Sequence, residues 1–141
     1  MKTSARNQFP GKVVALQRGA VNDEVTLRTA AGQDIVAVIT HESTVNLGLK
    51  EGSEAVALVK ASSVIVMVDA DASKVSTRNV ITGKVTRVET GAVNSEVEIQ
   101  ADNGAVIAAI VTNESAKRLG LQAGRAAAAL VKASSVILAM A

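Results

Sequence analysis

The chain has no cysteine, one histidine, one proline and a single aromatic residue, Phe9, in 141 residues. Without cysteine there is no disulfide framework, thiolate metal site or thiol nucleophile. His41 alone leaves too few ligands for a histidine-rich metal centre and no partner for a histidine dyad. The near absence of aromatics argues against a surface that stacks nucleic-acid bases. The formal net charge of +2 is too small to imply a polyanion partner. The longest apolar stretches, around Val64–Val68 and Ala126–Val131, fall far short of the roughly 20 residues of a membrane span. Residues Met1 to Asn7 lack the apolar core of a signal peptide, so the expected location is the cytoplasm, with no membrane partner.

What is present is one unit written twice. Ser4-Ala5-Arg6-Asn7 recurs as Ser76-Thr77-Arg78-Asn79, and Gly19-Ala20-Val21-Asn22 as Gly91-Ala92-Val93-Asn94. Leu47-Gly48-Leu49 recurs as Leu119-Gly120-Leu121, and Lys60-Ala61-Ser62-Ser63-Val64-Ile65 as Lys132-Ala133-Ser134-Ser135-Val136-Ile137. The spacing is 72 residues throughout (Ser4 to Ser76, Lys60 to Lys132), so the copies align without a gap. Expected boundaries are a domain over 1–69, a small polar linker over 70–74 and a second domain over 75–141.

Hydropathy patterning within a copy predicts five short strands. Glu24 to Arg28 alternates polar and apolar, as a half-buried strand does. Ile35 to Ile39 is β-branched on both faces, and Lys12 to Leu16, Ala55 to Val59 and Val64 to Val68 read similarly. Thr40 to Gly48 breaks the pattern as a short helix, with Thr40 at the N-cap, Glu42 in the first turn and Gly48 at the end. The fold class is therefore all-β: two tandem five-stranded OB-like β-barrels, each with a short helix between its third and fourth strands. The last strands, Val64–Val68 and Val136–Met140, are apolar on both faces, which predicts burial between barrels and between chains in an obligate oligomer.

Catalysis is not expected. His41 becomes Asn113 in the second copy and reads as a surface residue at a helix start. Glu24/Glu96 and Glu42/Glu114 read as turn and cap residues, and no P-loop or dinucleotide glycine pattern occurs. The segments that repeat best are instead polar donors. Ser4/Arg6/Asn7, Gly19 to Asn22, Thr40/Ser43 and Lys60-Ala61-Ser62 offer hydroxyls, a guanidinium, an ammonium, an amide and backbone N–H groups. Gly19 and Asn22 tolerate positive φ and suit an N–H nest, Thr40 and Ser43 stand at a helix start, and Arg6 and Lys60 supply full charge. Together they suit an anion; taken singly, each is explained as a turn or solvated residue.

Ser-x-Arg-Asn, Gly-Ala-Val-Asn-x-Glu-Val, Thr-x-x-Ser, Leu-Gly-Leu and Lys-Ala-Ser-Ser-Val-Ile resemble the Mop domain, a molybdate-binding module. In its two copies and nearly its whole length the chain resembles the tandem, two-Mop molbindin family. No helix-turn-helix or ATPase segment is seen, which points to the stand-alone storage type. The resemblance implies rings of six Mop domains, hence a homotrimer, with oxyanion sites between domains. One site type would take Ser4 and Arg6 from one domain and Thr40, Ser43, Lys60, Ala61 and Ser62 from a neighbour. The second copy would supply Ser76, Arg78, Asn79, Thr112, Ser115, Lys132, Ala133 and Ser134. A second site type, near a threefold axis, would use Gly19, Ala20, Val21 and Asn22, and Gly91, Ala92, Val93 and Asn94. Molybdenum would be bound as molybdate, with no side chain on the metal itself, and tungstate would substitute. The competing expectations are an OB-type single-stranded nucleic-acid-binding module and a purely structural oligomer.

Overall fold

The structure is a computed structural model and describes residues 1–140; the end of the expected second domain, residue 141, lies outside the described residues. The first copy runs β1 (Asn7–Arg18), β2 (Asn22–Thr29), β3 (Asp34–Thr40), α1 (His41–Leu47), β4 (Glu54–Val59), a 3-10 turn (Ala61–Ser63) and β5 (Val64–Met67). A 3-10 turn at Ala72–Lys74 leads to β6 (Asn79–Thr90), β7 (Asn94–Ala101), β8 (Val106–Thr112), α2 (Asn113–Arg118), β9 (Ala126–Val131), a 3-10 turn (Ala133–Ser135) and β10 (Ile137–Ala139). Both helices begin and end as their sequences dictate. The Thr40 hydroxyl accepts from Ser43 N at 3.1 Å, Thr112 does the same for Ser115 at 3.0 Å, and Gly48 and Gly120 stand at φ 62° and 64°.

The first strand is longer than hydropathy alone suggests, because it serves two neighbours. Asn7 to Lys12 pair with β4, and Gly11 to Arg18 pair with β2, with a bulge between Val13 and Ala15. β6 repeats this, its bulge lying between Val85 and Arg87. Such a bulge bends the strand and increases its twist, which lets a small sheet curl. Gly11 and Gly83 sit where the curl brings strands close: a Cβ on Gly11 would stand 2.4 Å from the Arg28 carbonyl oxygen, and one on Gly83 2.1 Å from that of Gln100.

The two five-stranded sheets have the orders β10-β4-β1-β2-β3 and β5-β9-β6-β7-β8. The compact units are therefore Met1–Val59 with the segment from Lys132, and Lys60–Val131. They differ by one strand from the sequence repeats over 1–69 and 75–141, since each repeat's last strand completes the other's sheet. Lys60 to Ile65 and Lys132 to Ile137 are the same six residues. Both strands therefore present one apolar face in one alternation, and either suits either sheet edge. In each unit the last strand also nears the opposite edge, β10 by β3 and β5 by β8, so each sheet forms a curled half-barrel.

The two cores match position by position. Val13, Val25, Leu27, Ile35, Ala37 and Ala57 are buried in the first unit, and Val85, Val97, Ile99, Ile107, Ala109 and Ala129 in the second. The exchanged strands add Val136 and Leu138 to the first and Val64 and Val66 to the second. No aromatic side chain takes part, so the cores are packed from small and branched groups.

Candidate oxyanion-binding site

In each unit, strand pairing brings the Gly-Ala-Val-Asn loop to the start of the helix. Asn22 lies opposite Thr40 in the β2–β3 ladder, and the His41 N–H donates to the Val21 carbonyl at 2.8 Å. In the second unit Asn94 lies opposite Thr112, and Asn113 N–H donates to Val93 O at 3.0 Å. Loop and helix start thus form one corner per unit, although the resemblance divided them between two site types. Ala20, Val21, Ala92 and Val93 are exposed there, the two valines at 73% and 71%.

The expected left-handed nest is not formed: Gly19, Asn22, Gly91 and Asn94 all lie outside positive φ. Glycine is needed for a different reason. A Cβ on Gly19 would stand 2.3 Å from the Asn22 carbonyl oxygen, and one on Gly91 2.9 Å from that of Asn94, because the chain folds back on itself. The glycine N–H groups are also engaged, Gly19 by Asp23 Oδ1 at 3.0 Å and Gly91 by Asn94 O at 2.8 Å.

The helix-start hydroxyls touch each other. Thr40 Oγ1 lies 2.7 Å from Ser43 Oγ, and Thr112 Oγ1 donates to Ser115 Oγ at 2.8 Å. That donation leaves the Ser115 hydroxyl proton available for a further acceptor. Ser4 and Arg6 precede β1, and Ser76 and Arg78 precede β6, all exposed. Asn7 and Asn79, by contrast, are 2% exposed at the first strand positions and hydrogen-bonded within the chain. Lys60, Ser62, Lys132 and Ser134 are exposed, Ala61 is buried and Ala133 is half-buried.

The strand exchange regroups these donors. The turn at Ala133–Ser135 packs against β3 in the first unit, and the turn at Ala61–Ser63 packs against β8 in the second. Thr40 and Ser43 therefore share a unit with Lys132, Ala133 and Ser134, and Thr112 and Ser115 with Lys60, Ala61 and Ser62. Grouping by repeat pairs them the other way; each Lys-Ala-Ser segment moves with the strand that follows it.

Sequence reasoning missed one contact beside the loop. His41 Nδ1 lies 3.0 Å from Asp23 Oδ2, and Asp23 is 1% exposed. The Thr44 hydroxyl, then the Gly19 N–H and His41, hold the Asp23 carboxyl below the ordinary carboxylate range, against burial, which pushes it up. The same positions in the second unit are neutral: Ser95 donates to Asn113 Oδ1 at 2.6 Å, and Asn113 Nδ2 donates to Gly91 O at 2.9 Å. The signal lay in the repeat, whose copies differ at both ends of this one contact. Glu24 and Glu96 prove to be strand residues, with Glu96 Oε1 3.4 Å from Arg87, whereas Glu42 and Glu114 occupy first helical turns as expected.

A cleft of about 560 Å³ in the first unit, lined by residues such as Pro10, Lys12, Val14 and Val56, includes none of the candidate donors. Among the described residues, no cluster of three acidic or histidine side chains could hold a metal ion. Among the same residues, no helix is long and apolar enough to cross a membrane.

The TOBE domain model matches residues 3–66 and again 75–138. The chain is 46% identical to the molybdenum transport protein ModE of Azotobacter vinelandii over 140 residues, 99% of this chain and 52% of that protein. It is 43% identical to the molybdenum-pterin-binding protein MopA of Rhodobacter capsulatus over 140 residues, 99% of this chain and 53% of that one. The chain thus spans about half the length of these relatives. Molybdenum-pterin-binding protein 2 of Clostridium pasteurianum is 46% identical over 67 residues, 48% of this chain and 98% of that shorter protein. The crystal structure of the cytoplasmic molybdate-binding protein ModG with molybdate bound superposes with a TM-score of 0.93 at 47% identity, covering 100% of both chains. With two TOBE matches, a shared fold and the repeated donor motifs, the chain belongs to the TOBE-domain family as a tandem, di-Mop member.

Proposed function

We propose that this chain binds molybdate, and tungstate in its place, for molybdenum storage and homeostasis in the cytoplasm, and that it is not an enzyme. The observation that carries this reading is the full-length likeness to molybdate-bound ModG, joined to donor clusters that recur in both copies. Molybdate at neutral pH is a tetrahedral dianion that only accepts hydrogen bonds. Hydroxyls at Ser43 and Ser115, the cations Arg6, Lys60, Arg78 and Lys132, and backbone N–H groups can pair every oxygen. Phosphate near neutral pH is partly protonated, and its hydroxyl faces donors with no acceptor to receive it. Sulfate has the same charge but is smaller, so a fixed pocket holds it loosely. The nucleic-acid alternative is not favoured, because base stacking needs aromatic faces and Phe9 is the one aromatic side chain.

In this reading the sites are completed between domains of a homotrimer. Ile65 and Ile137, 72 residues apart, are 61% and 59% exposed on the outer faces of β5 and β10. Large apolar groups exposed at matching positions suit self-association. Competition dialysis at constant ionic strength, with light scattering on the same sample, tests the reading. The expected result is a trimer from which tungstate displaces molybdate nearly equally and phosphate displaces it poorly. Displacement by phosphate at similar concentration overturns the oxyanion preference, and a monomer that binds at full stoichiometry overturns the shared sites.

A further inference from the structure

The β7–β8 hairpin turns through Asp102-Asn103-Gly104, the one Asn-Gly pair in the chain. The Ala101 N–H donates to the Ala105 carbonyl at 2.7 Å, the Gly104 N–H donates to the Ala101 carbonyl at 2.9 Å, and Gly104 stands at φ 92°. A tight turn followed by a glycine of positive φ is a common three-residue hairpin loop. The amide of Asn103 is not needed to build it. The β2–β3 hairpin makes the same turn with Ala31 in that place. There the Thr29 N–H donates to Gln33 O at 2.9 Å, the Gly32 N–H donates to Thr29 O at 2.9 Å, and Gly32 stands at φ 86°. Asn103 is therefore a reactive group added to a turn that the backbone and the glycine already fix.

The surroundings of that amide favour an attack by the chain on itself. Asn103 and Gly104 are both exposed. The Gly104 nitrogen is placed by the chain to close a five-membered ring on Asn103 Cγ, and glycine has no Cβ to hinder the approach. The Ala105 N–H donates to Asn103 Oδ1 at 3.0 Å. A backbone donor thus already touches the oxygen on which negative charge develops as Cγ becomes tetrahedral. The Gly104 N–H must first leave the Ala101 carbonyl, and a hairpin tip is where such local opening is easiest.

We propose that Asn103 is a self-modification site, at which the side-chain amide becomes a carboxylate through a succinimide, with water as the co-reactant. The Gly104 N–H proton passes to solvent and the nitrogen bonds to Asn103 Cγ. The bond from Cγ to the amide nitrogen breaks, and that nitrogen leaves, protonated, as ammonia. Water then adds to either ring carbonyl and one ring C–N bond breaks. One water is consumed, one ammonia is released, and nothing is oxidised or reduced. Cleavage at Cγ gives aspartate, which keeps an acceptor for the Ala105 N–H. Cleavage at the main-chain carbonyl gives isoaspartate, which routes the main chain through the side chain. Either product places a new negative charge beside Asp102, whose carboxylate accepts from Thr82 Oγ1 at 2.9 Å. The first unit, with Ala31, has no such step, and the proposal stands independently of the molybdate reading.

Peptide mapping by mass spectrometry of the full chain, kept folded in mildly alkaline buffer, tests the proposal. The expected result is a mass gain of one amide-to-acid conversion that grows with time, localised by fragmentation to Asn103 and matched by ammonia release. Asn22 and Asn94, followed by Asp23 and Ser95, should gain far less, because those residues carry side chains. Asn103→Ala, which installs the residue of the first unit, should abolish the gain and leave the melting temperature unchanged. Isoaspartate among the products marks the ring; aspartate alone would mean direct hydrolysis and overturn the succinimide step. A sample unfolded in urea is followed alongside. A gain at Asn103 only in urea would show that the hairpin protects the amide, and would overturn the proposal. An equal gain at Asn94 and Asn103 in the folded chain would overturn it too.

Discussion

The corners at Gly19–Asn22 and Gly91–Asn94 reach one backbone by different chemistry. In both, the first helical N–H donates to the loop valine carbonyl, at 2.8 Å for His41 and 3.0 Å for Asn113. The first corner is held by a buried carboxylate and an imidazole, the second by a hydroxyl and an amide. The loop's shape is therefore over-determined by the ladder and the folded-back glycine, while the charge beneath it is free to differ. The buried residues show the opposite behaviour: Val25 and Val97, and Leu27 and Ile99, are each 0% exposed. Packing constrains those pairs in volume and polarity together.

The largest effect should come from the exchanged strands. Leu138→Ala opens a cavity in the first unit and should cost about 2–4 kcal/mol. Hydrogen exchange should show lost protection in β1 and β4, although residue 138 belongs to the second repeat. Lost protection in β6 and β9 would return β10 to its own repeat and contradict the topology.

A smaller effect separates the two loops. Gly19→Ala and Gly91→Ala both force a Cβ against a carbonyl oxygen, at 2.3 Å and 2.9 Å. Each should destabilise by about 1–3 kcal/mol, with Gly19→Ala the worse. Thermal unfolding of the two variants gives the order, and equal losses would show that the loops relax alike.

The smallest effect is the acid response. The Thr44 hydroxyl, with the Gly19 N–H and His41, holds the carboxyl of Asp23 below the ordinary carboxylate range in the folded chain. Its contribution to stability is therefore complete above about pH 4 and is lost as pH falls through the folded value, where the unfolded chain binds the extra proton. Asp34, held down by Arg28, and Asp71, held down by the Ser73 hydroxyl and N–H, act in the same direction and are present in every variant. Asp23→Ser with His41→Asn should therefore lose less stability on acidification than the parent. Parallel melting curves between about pH 5 and pH 2 would show that Asp23 contributes nothing.

The repeat, the strand alternation and the helix ends were legible because each is written locally. Thr40 and Gly48 announce their cap and left-handed turn, and Val25 and Leu27 announce their buried face. The strand exchange was not, because Lys60 to Ile65 and Lys132 to Ile137 are identical and no local feature states which sheet each joins. That ambiguity also hid which Lys-Ala-Ser segment shares a unit with which hydroxyls. The Asp23–His41 contact spans 18 residues and follows from the β2–β3 register, in which Asp23 faces Ile39. Gly19 was legible as necessary, but its conformation was not: a close approach and a positive φ both demand glycine, and composition does not separate them.

The most direct measurement is elemental analysis of the chain after exhaustive dialysis against sodium molybdate, with the parent beside Arg6→Ala/Arg78→Ala. Each substitution removes a charge-assisted donor, worth about 1.5–3 kcal/mol, or roughly 10- to 100-fold in affinity. The account predicts molybdenum retained by the parent and sharply reduced in the double variant at the same free molybdate concentration. No retained molybdenum in the parent, or equal retention in both chains, would contradict it.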